Sequence, residues 1–187
     1  MVTRGEEQTA SALLPSIVWS TEIEGRCTNW GSRCTLDAKR MGRIFHITSY
    51  EATQQGPVKV VIKNIRFLNG QGWSEPGGAV SVVGNVDVTF VNCEFAYAQG
   101  GEGGAVAVIT QNLAKFEDCV FRNNEAVYAN GGAVTSTAET WFTNAVFYQN
   151  VAQNGGAVQL DTGTPMAFFL NANFTNNWAY NLGGSVY

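Results

Sequence analysis

The chain has 187 residues, of which 45% are hydrophobic and only 14% charged, with a formal net charge of −4. That length buries the core of one domain and leaves little room for a second. The acidic balance and the lack of a Lys/Arg stripe exclude the electrostatic footprint of a nucleic-acid binder. Every apolar stretch is broken by Gly, Thr or Asn well before it reaches the length of a membrane span.

From the N-terminus, Met1 to Thr21 lacks the basic start, apolar run and cleavage site of a secretory signal, so a targeting segment is expected either to have been removed or never to have existed. Within it, Ala10 to Thr21 carries Leu13, Leu14, Ile17, Val18 and Trp19 and is apolar enough to cap the end of a domain. Cys27 and Cys34 follow in a short polar loop, where a disulfide clip and free thiols are both open, and no nearby His favours zinc. Residues 1–43 are expected to form an N-terminal cap and first coil, and residues 44–187 a run of repeats. His46, the only histidine, alternates with Phe45 and Ile47 and so faces away from them, and no Ser or Cys with a matching acid pairs with it.

The repeats are read from two landmarks. Gly-Gly-Ala-Val starts at Gly77, Gly103, Gly131 and Gly155 and returns as Gly-Gly-Ser-Val at Gly183, in steps of 26, 28, 24 and 28 residues. Phe67, Phe95, Phe121, Phe147 and Phe174 run in phase, and a shared period of this size signals a solenoid or propeller. Alignment on these Phe residues places Ile62, Phe90, Phe116, Phe142 and Phe169 in one apolar column and Ile65, Cys93, Cys119, Ala145 and Ala172 in another. Val60, Val88, Ala114, Thr140 and Ala167 form a third, alternating with outward positions as a half-buried strand requires.

Asn64, Asn92, Asp118, Asn144 and Asn171 interrupt the alternation once per repeat. Asx tolerates a left-handed backbone and hydrogen-bonds stacked neighbours, so these residues are expected to form corners and an Asn ladder. Helical repeats are excluded by the lack of 3.6 periodicity, and a propeller blade by the short period. The expected fold is all-β: a right-handed single-stranded parallel β-helix of about six coils, each with three short strands.

At Gly-Gly-Ala-Val, together with Phe121-Arg-Asn-Asn, Phe147-Tyr-Gln-Asn and Phe174-Thr-Asn-Asn, the sequence resembles the chlamydial polymorphic outer membrane proteins. Those proteins repeat Gly-Gly-Ala-Ile/Leu/Val and Phe-x-x-Asn along a passenger β-helix, and similar repeats look at home in large algal and protist surface proteins. The likeness covers Val58 to Tyr187, although Phe67-Leu-Asn-Gly and Phe95-Ala-Tyr-Ala lack the Asn. It implies adhesion or surface display, extracellular or on the cell surface, with an organelle lumen as the alternative; the fold alone does not settle the role.

No catalytic, metal or cofactor residues are assigned. Cys93 and Cys119 stack in adjacent repeats and read as an inward reduced pair, with a disulfide or a metal site as alternatives. Ser81, Ala107, Thr135 and Gln159, outward after the Gly-Gly motif, cannot perform lyase or hydrolase chemistry. Asp37, Asp87, Glu94, Glu117 and Asp118 are the remaining acids for it, with Lys115 and Arg66 as neutralising partners. A polysaccharide lyase or glycoside hydrolase is therefore the alternative function, and an ice-binding solenoid a further one.

The leading expectation is a non-catalytic adhesive, scaffold or accessory subunit. Its expected contacts are Trp141, Phe168 and Leu170, outward on the strand before the Asx corner, and Trp178 and Tyr180 among the aromatic turn residues. Carbohydrate is one candidate ligand; a protein partner, or continuation of a longer chain, is expected at the C-terminal end, which exposes strand groups and interior residues. Asn173-Phe174-Thr175 is a glycosylation sequon with Asn173 outward.

Overall fold

The computed structural model describes residues 14–27, 33–49, 56–161, 163 and 166–187. Over them the chain is all-β and winds as a parallel β-helix of about five turns. The turns contribute in order to four parallel sheets, the first two and the last placing strands in only three of them. Sheet 1 holds Thr21–Glu24, Val58–Lys63, Val86–Val91, Leu113–Glu117, Glu139–Thr143 and Ala167–Leu170. Sheet 2 holds Cys34–Asp37, Ile65–Leu68, Glu94–Ala96, Val120–Arg122, Val146–Tyr148 and Asn173–Thr175. Sheet 3 holds Gln99–Gly100, Glu125–Ala126, Val151–Asn154 and Trp178–Leu182, and sheet 4 holds Phe45–Ser49, Val80–Gly84, Val106–Ile109, Val134–Ser136 and Val158–Leu160.

Sheet 3 corrects the expectation of three strands per coil. Its strands lie where the sequence suggests a long turn, and several are only two residues long with Ala or Gly inward. Segments that short carry no readable alternation. What holds them in line is the Asn three residues after the marker Phe. Asn124 and Asn150 are buried; the Nδ2 of each donates to the carbonyl of the marker Phe one coil back, Phe95 and Phe121, at 3.0 Å. The Oδ1 of Asn150 accepts from Asn124 N and Nδ2, and Asn177 repeats the arrangement above Asn150. Each amide thus satisfies backbone groups that a tight interior corner would otherwise leave unpaired.

The register places like on like. Phe67, Phe95, Phe121, Phe147 and Phe174 stack at centroid spacings of 4.7 to 4.9 Å, the spacing of paired strands. Phe90, Phe116, Phe142 and Phe169 form the second column, meeting the first edge to face. Cys93 and Cys119 are free thiols, fully buried between them. The corner residues Asn64, Asn92, Asp118, Asn144 and Asn171 all have φ between 49° and 57°. Asn92 donates to Asn64 at 2.9 Å and Asn144 to Asp118 at 2.9 Å, but Asp118 has no donor to offer Asn92.

The Gly pair closes each coil. Gly77 and its equivalents adopt positive φ, and a Cβ on Gly78 would run into the carbonyls of Gly104 and Gln99. This tight turn bears on a second correction. Ser81, Ala107 and Thr135 point away from the core by alternation but are buried rather than solvent-facing. A Cβ on Gly77 would strike Val80 O and crowd Ala107 N, and in the three middle coils the column holds only small side chains, with His46 and Gln159 at its ends.

The N-terminal segment also departs from expectation. Ile17 bridges Ile47 in parallel and packs on the core, whereas Leu14, Val18 and Trp19 are exposed; Leu13 lies outside the described residues. A main-chain extension of sheet 4, rather than a five-residue apolar cap, meets that end.

Candidate functional site

The residues expected to contact a partner fall on two faces. Trp141 and Phe168 are register partners on the outer side of sheet 1 and stack with centroids 3.9 Å apart and planes at 23°. Trp141 Nε1 donates to Glu139 Oε1 at 2.8 Å, which fixes the indole. Leu170 is 48% exposed on the same row, and so is Met166, a member that was not recognised from sequence. Alternation over 166, 168 and 170 is the signal that would have found it. Trp178 and Tyr180 belong to sheet 3, outward and exposed on either side of inward Ala179. The fold does not bring them onto the Trp141 row.

A groove of about 590 Å³ opens at the corner between sheets 4 and 1. Asn85, Ile109, Thr110, Gln111, Asn112 and Thr137 line it, and among the described residues no ionisable side chain does. Asn112 donates to Asn85 across it at 2.9 Å.

The acids weighed for catalysis are dispersed. Asp37 accepts from Asn69 and from Lys39 N, and those hydrogen bonds hold its carboxyl below the usual range. Asp87 accepts from Leu113 N, and Asp118 from Asn144. Glu94 gathers charge instead: Arg66 Nε reaches its Oε2 at 2.8 Å, Arg33 Nη1 the same oxygen at 3.4 Å, and Arg122 Nη2 its Oε1 at 2.7 Å. Burial pushes the Glu94 carboxyl up, and hydrogen bonds and charge from Arg66 and Arg122 more than reverse this, leaving it below its ordinary value. Arg66 was expected as a neutralising partner; Lys115, also expected, forms no ion pair among the described residues.

His46 is half-buried, and its Nδ1 has no hydrogen-bond partner among the described residues. Burial, then the charge of Arg43, lowers its pKa, so it is neutral near pH 7. Cys27 and Cys34 are joined as a disulfide with Cα atoms 5.5 Å apart. Asn173 is exposed, its Oδ1 accepting from Thr175 Oγ1 at 2.9 Å. Among the described residues no cluster of His, Cys, Asp or Glu is arranged to hold a metal ion, and no helix is long and apolar enough to cross a membrane.

Comparison with protein-family models, curated proteins and solved structures found no match.

Proposed function

We propose that this β-helix is a non-catalytic binding domain, an adhesive, scaffold or accessory subunit that works through its outer surface. The observation that carries this is the Trp141–Phe168 stack with exposed Leu170 and Met166 beside it. A solenoid that already seals its Phe columns inside has no folding reason to align a second set of large apolar side chains outside. The acids support the same reading, since each one weighed for glycan chemistry except Glu117 accepts a structural hydrogen bond. Display outside the cell or in a non-cytosolic lumen is favoured by the Cys27–Cys34 clip and by the resemblance to surface-display repeats. The hydrogen bonds between corner Asn residues are read as an Asn ladder that stiffens such a displayed rod.

The test is attachment of beads coated with the purified domain to cultured cells, run beside a polysaccharide panel with and without Ca²⁺. Trp141→Ala and Phe168→Glu should each cut attachment several-fold with the far-UV spectrum unchanged, and no polysaccharide should be degraded. Attachment indifferent to both substitutions, or release of sugar products, overturns the proposal.

A further inference from the structure

The charged group on sheet 2 carries an inference independent of the aromatic stack. Three guanidiniums, from Arg33, Arg66 and Arg122, surround the single carboxylate of Glu94. No other carboxylate among the described residues pairs with any of them, so the group holds two positive charges in excess on a chain of net charge −4. Glu94 is saturated: Oε1 takes Arg122 Nε and Nη2, and Oε2 takes Arg66 Nε and Arg33 Nη1. Arg33 spends its remaining contacts on the carbonyls of Asn92 and Asp118, across the corner where Asp118 interrupts the side-chain hydrogen bonds. Among the described residues Arg66 uses only Nε, and its side chain is 41% exposed. Its outer nitrogens form a free fork of the shape that grips a carboxylate or sulfate.

A second observation comes from Tyr97. It has φ of 56° at a corner where the other coils use Asn69, Asn123, Gln149 and Asn176. A bulky aromatic is costly in that conformation, and such strain gathers at functional sites. Its ring lies 4.9 Å from the Arg122 guanidinium carbon. Tyr148 is the register neighbour of Arg122 on the next coil, and both tyrosines are more than a third exposed. Open aromatic rings beside cationic forks, on an extended sheet face, suit a polymer that offers flat sugar rings and anionic groups together.

We propose that this face binds an acidic polysaccharide, with Arg66 receiving its carboxylate or sulfate oxygens beside the positive charge of Arg122, and Tyr97 and Tyr148 lying against its sugar rings. The test is calorimetric titration of the full chain with polygalacturonate oligomers, heparin oligosaccharides and dextran. Binding to polygalacturonate or heparin and not to dextran is expected, and whichever binds tighter identifies carboxylate or sulfate as the anion. Arg66→Gln should weaken binding at least tenfold and Tyr148→Ala at least threefold. Both side chains are partly exposed, so both variants should melt within a few degrees of the parent. Equal binding to dextran, no binding to either acidic glycan, unchanged affinity in Arg66→Gln and Tyr148→Ala, or tighter binding to a phosphopeptide or single-stranded DNA of matched charge overturns it. Trp141 and Phe168 lie on sheet 1, so failure here and failure of the adhesion reading are separately visible.

Discussion

Two sets of asparagines share this repeat and perform different work. The corner set (Asn64, Asn92, Asn144, Asn171) supplies a left-handed backbone residue near the surface, and Asp118 takes the same conformation in the remaining coil. The interior set is buried and fully used: Asn150 makes four side-chain hydrogen bonds, to Asn124 N and Nδ2, Phe121 O and Asn177 Oδ1. Asn150→Ala should therefore cost about 3 kcal/mol, because it strands buried donors and acceptors of adjacent coils. Asn144→Gly, which keeps the left-handed corner and removes only exposed hydrogen bonds to the coils on either side, should cost about 1 kcal/mol or less. Urea denaturation of the two variants measures the difference; equal midpoints would mean that the interior amides do not hold the corner.

At the scale of the strand, the core is two columns of rings with a small-residue column between them. Cys93 and Cys119 fill that column, with Sγ atoms 3.5 Å from the carbonyl oxygens of Ile62 and Phe90. Burial pushes the Cys119 thiol well up, so it stays protonated and unreactive. Ellman's reagent should accordingly find no thiol in the native chain and two after denaturation without reductant. Reaction of either thiol in the native state would contradict the packing of sheets 1 and 2. Outside, the step from Val61 and Lys63 to Phe168 and Leu170 along sheet 1 changes a mixed face into an apolar one without altering the interior.

For the molecule as a whole, backbone pairing joins each turn only to its neighbours, so a side-chain contact tying four coils has unusual reach. The Glu94 group is one, linking Arg33, Arg66 and Arg122. The Glu94 carboxyl titrates below its ordinary value of 4.5 in the folded chain, so in acid the unfolded chain binds more protons. The stability this carboxylate contributes is complete above the unfolded value and is lost as pH falls through the lower, folded one. Glu94→Gln should therefore melt below the parent at pH 6, and the gap should close toward pH 3. A gap independent of pH would show that the effect of the substitution is one of packing, not of charge.

The all-β solenoid was legible in the order of residues because a coil repeats its environment. Phe67 through Phe174, the Asx corners and the Gly pairs recur at one period, since each must sit above its own kind. Sheet 3 was not legible: Gln99–Gly100 and Glu125–Ala126 are too short for alternation, and only backbone pairing between coils defines them as strands. Likewise the burial of the outward Ser81 column was not legible, because alternation gives a side chain's direction and not its cover. Trp178 and Tyr180, expected in a turn, lie in the strand Trp178–Leu182, and Arg33, 61 residues before Glu94, reaches it only because the winding brings separate coils side by side.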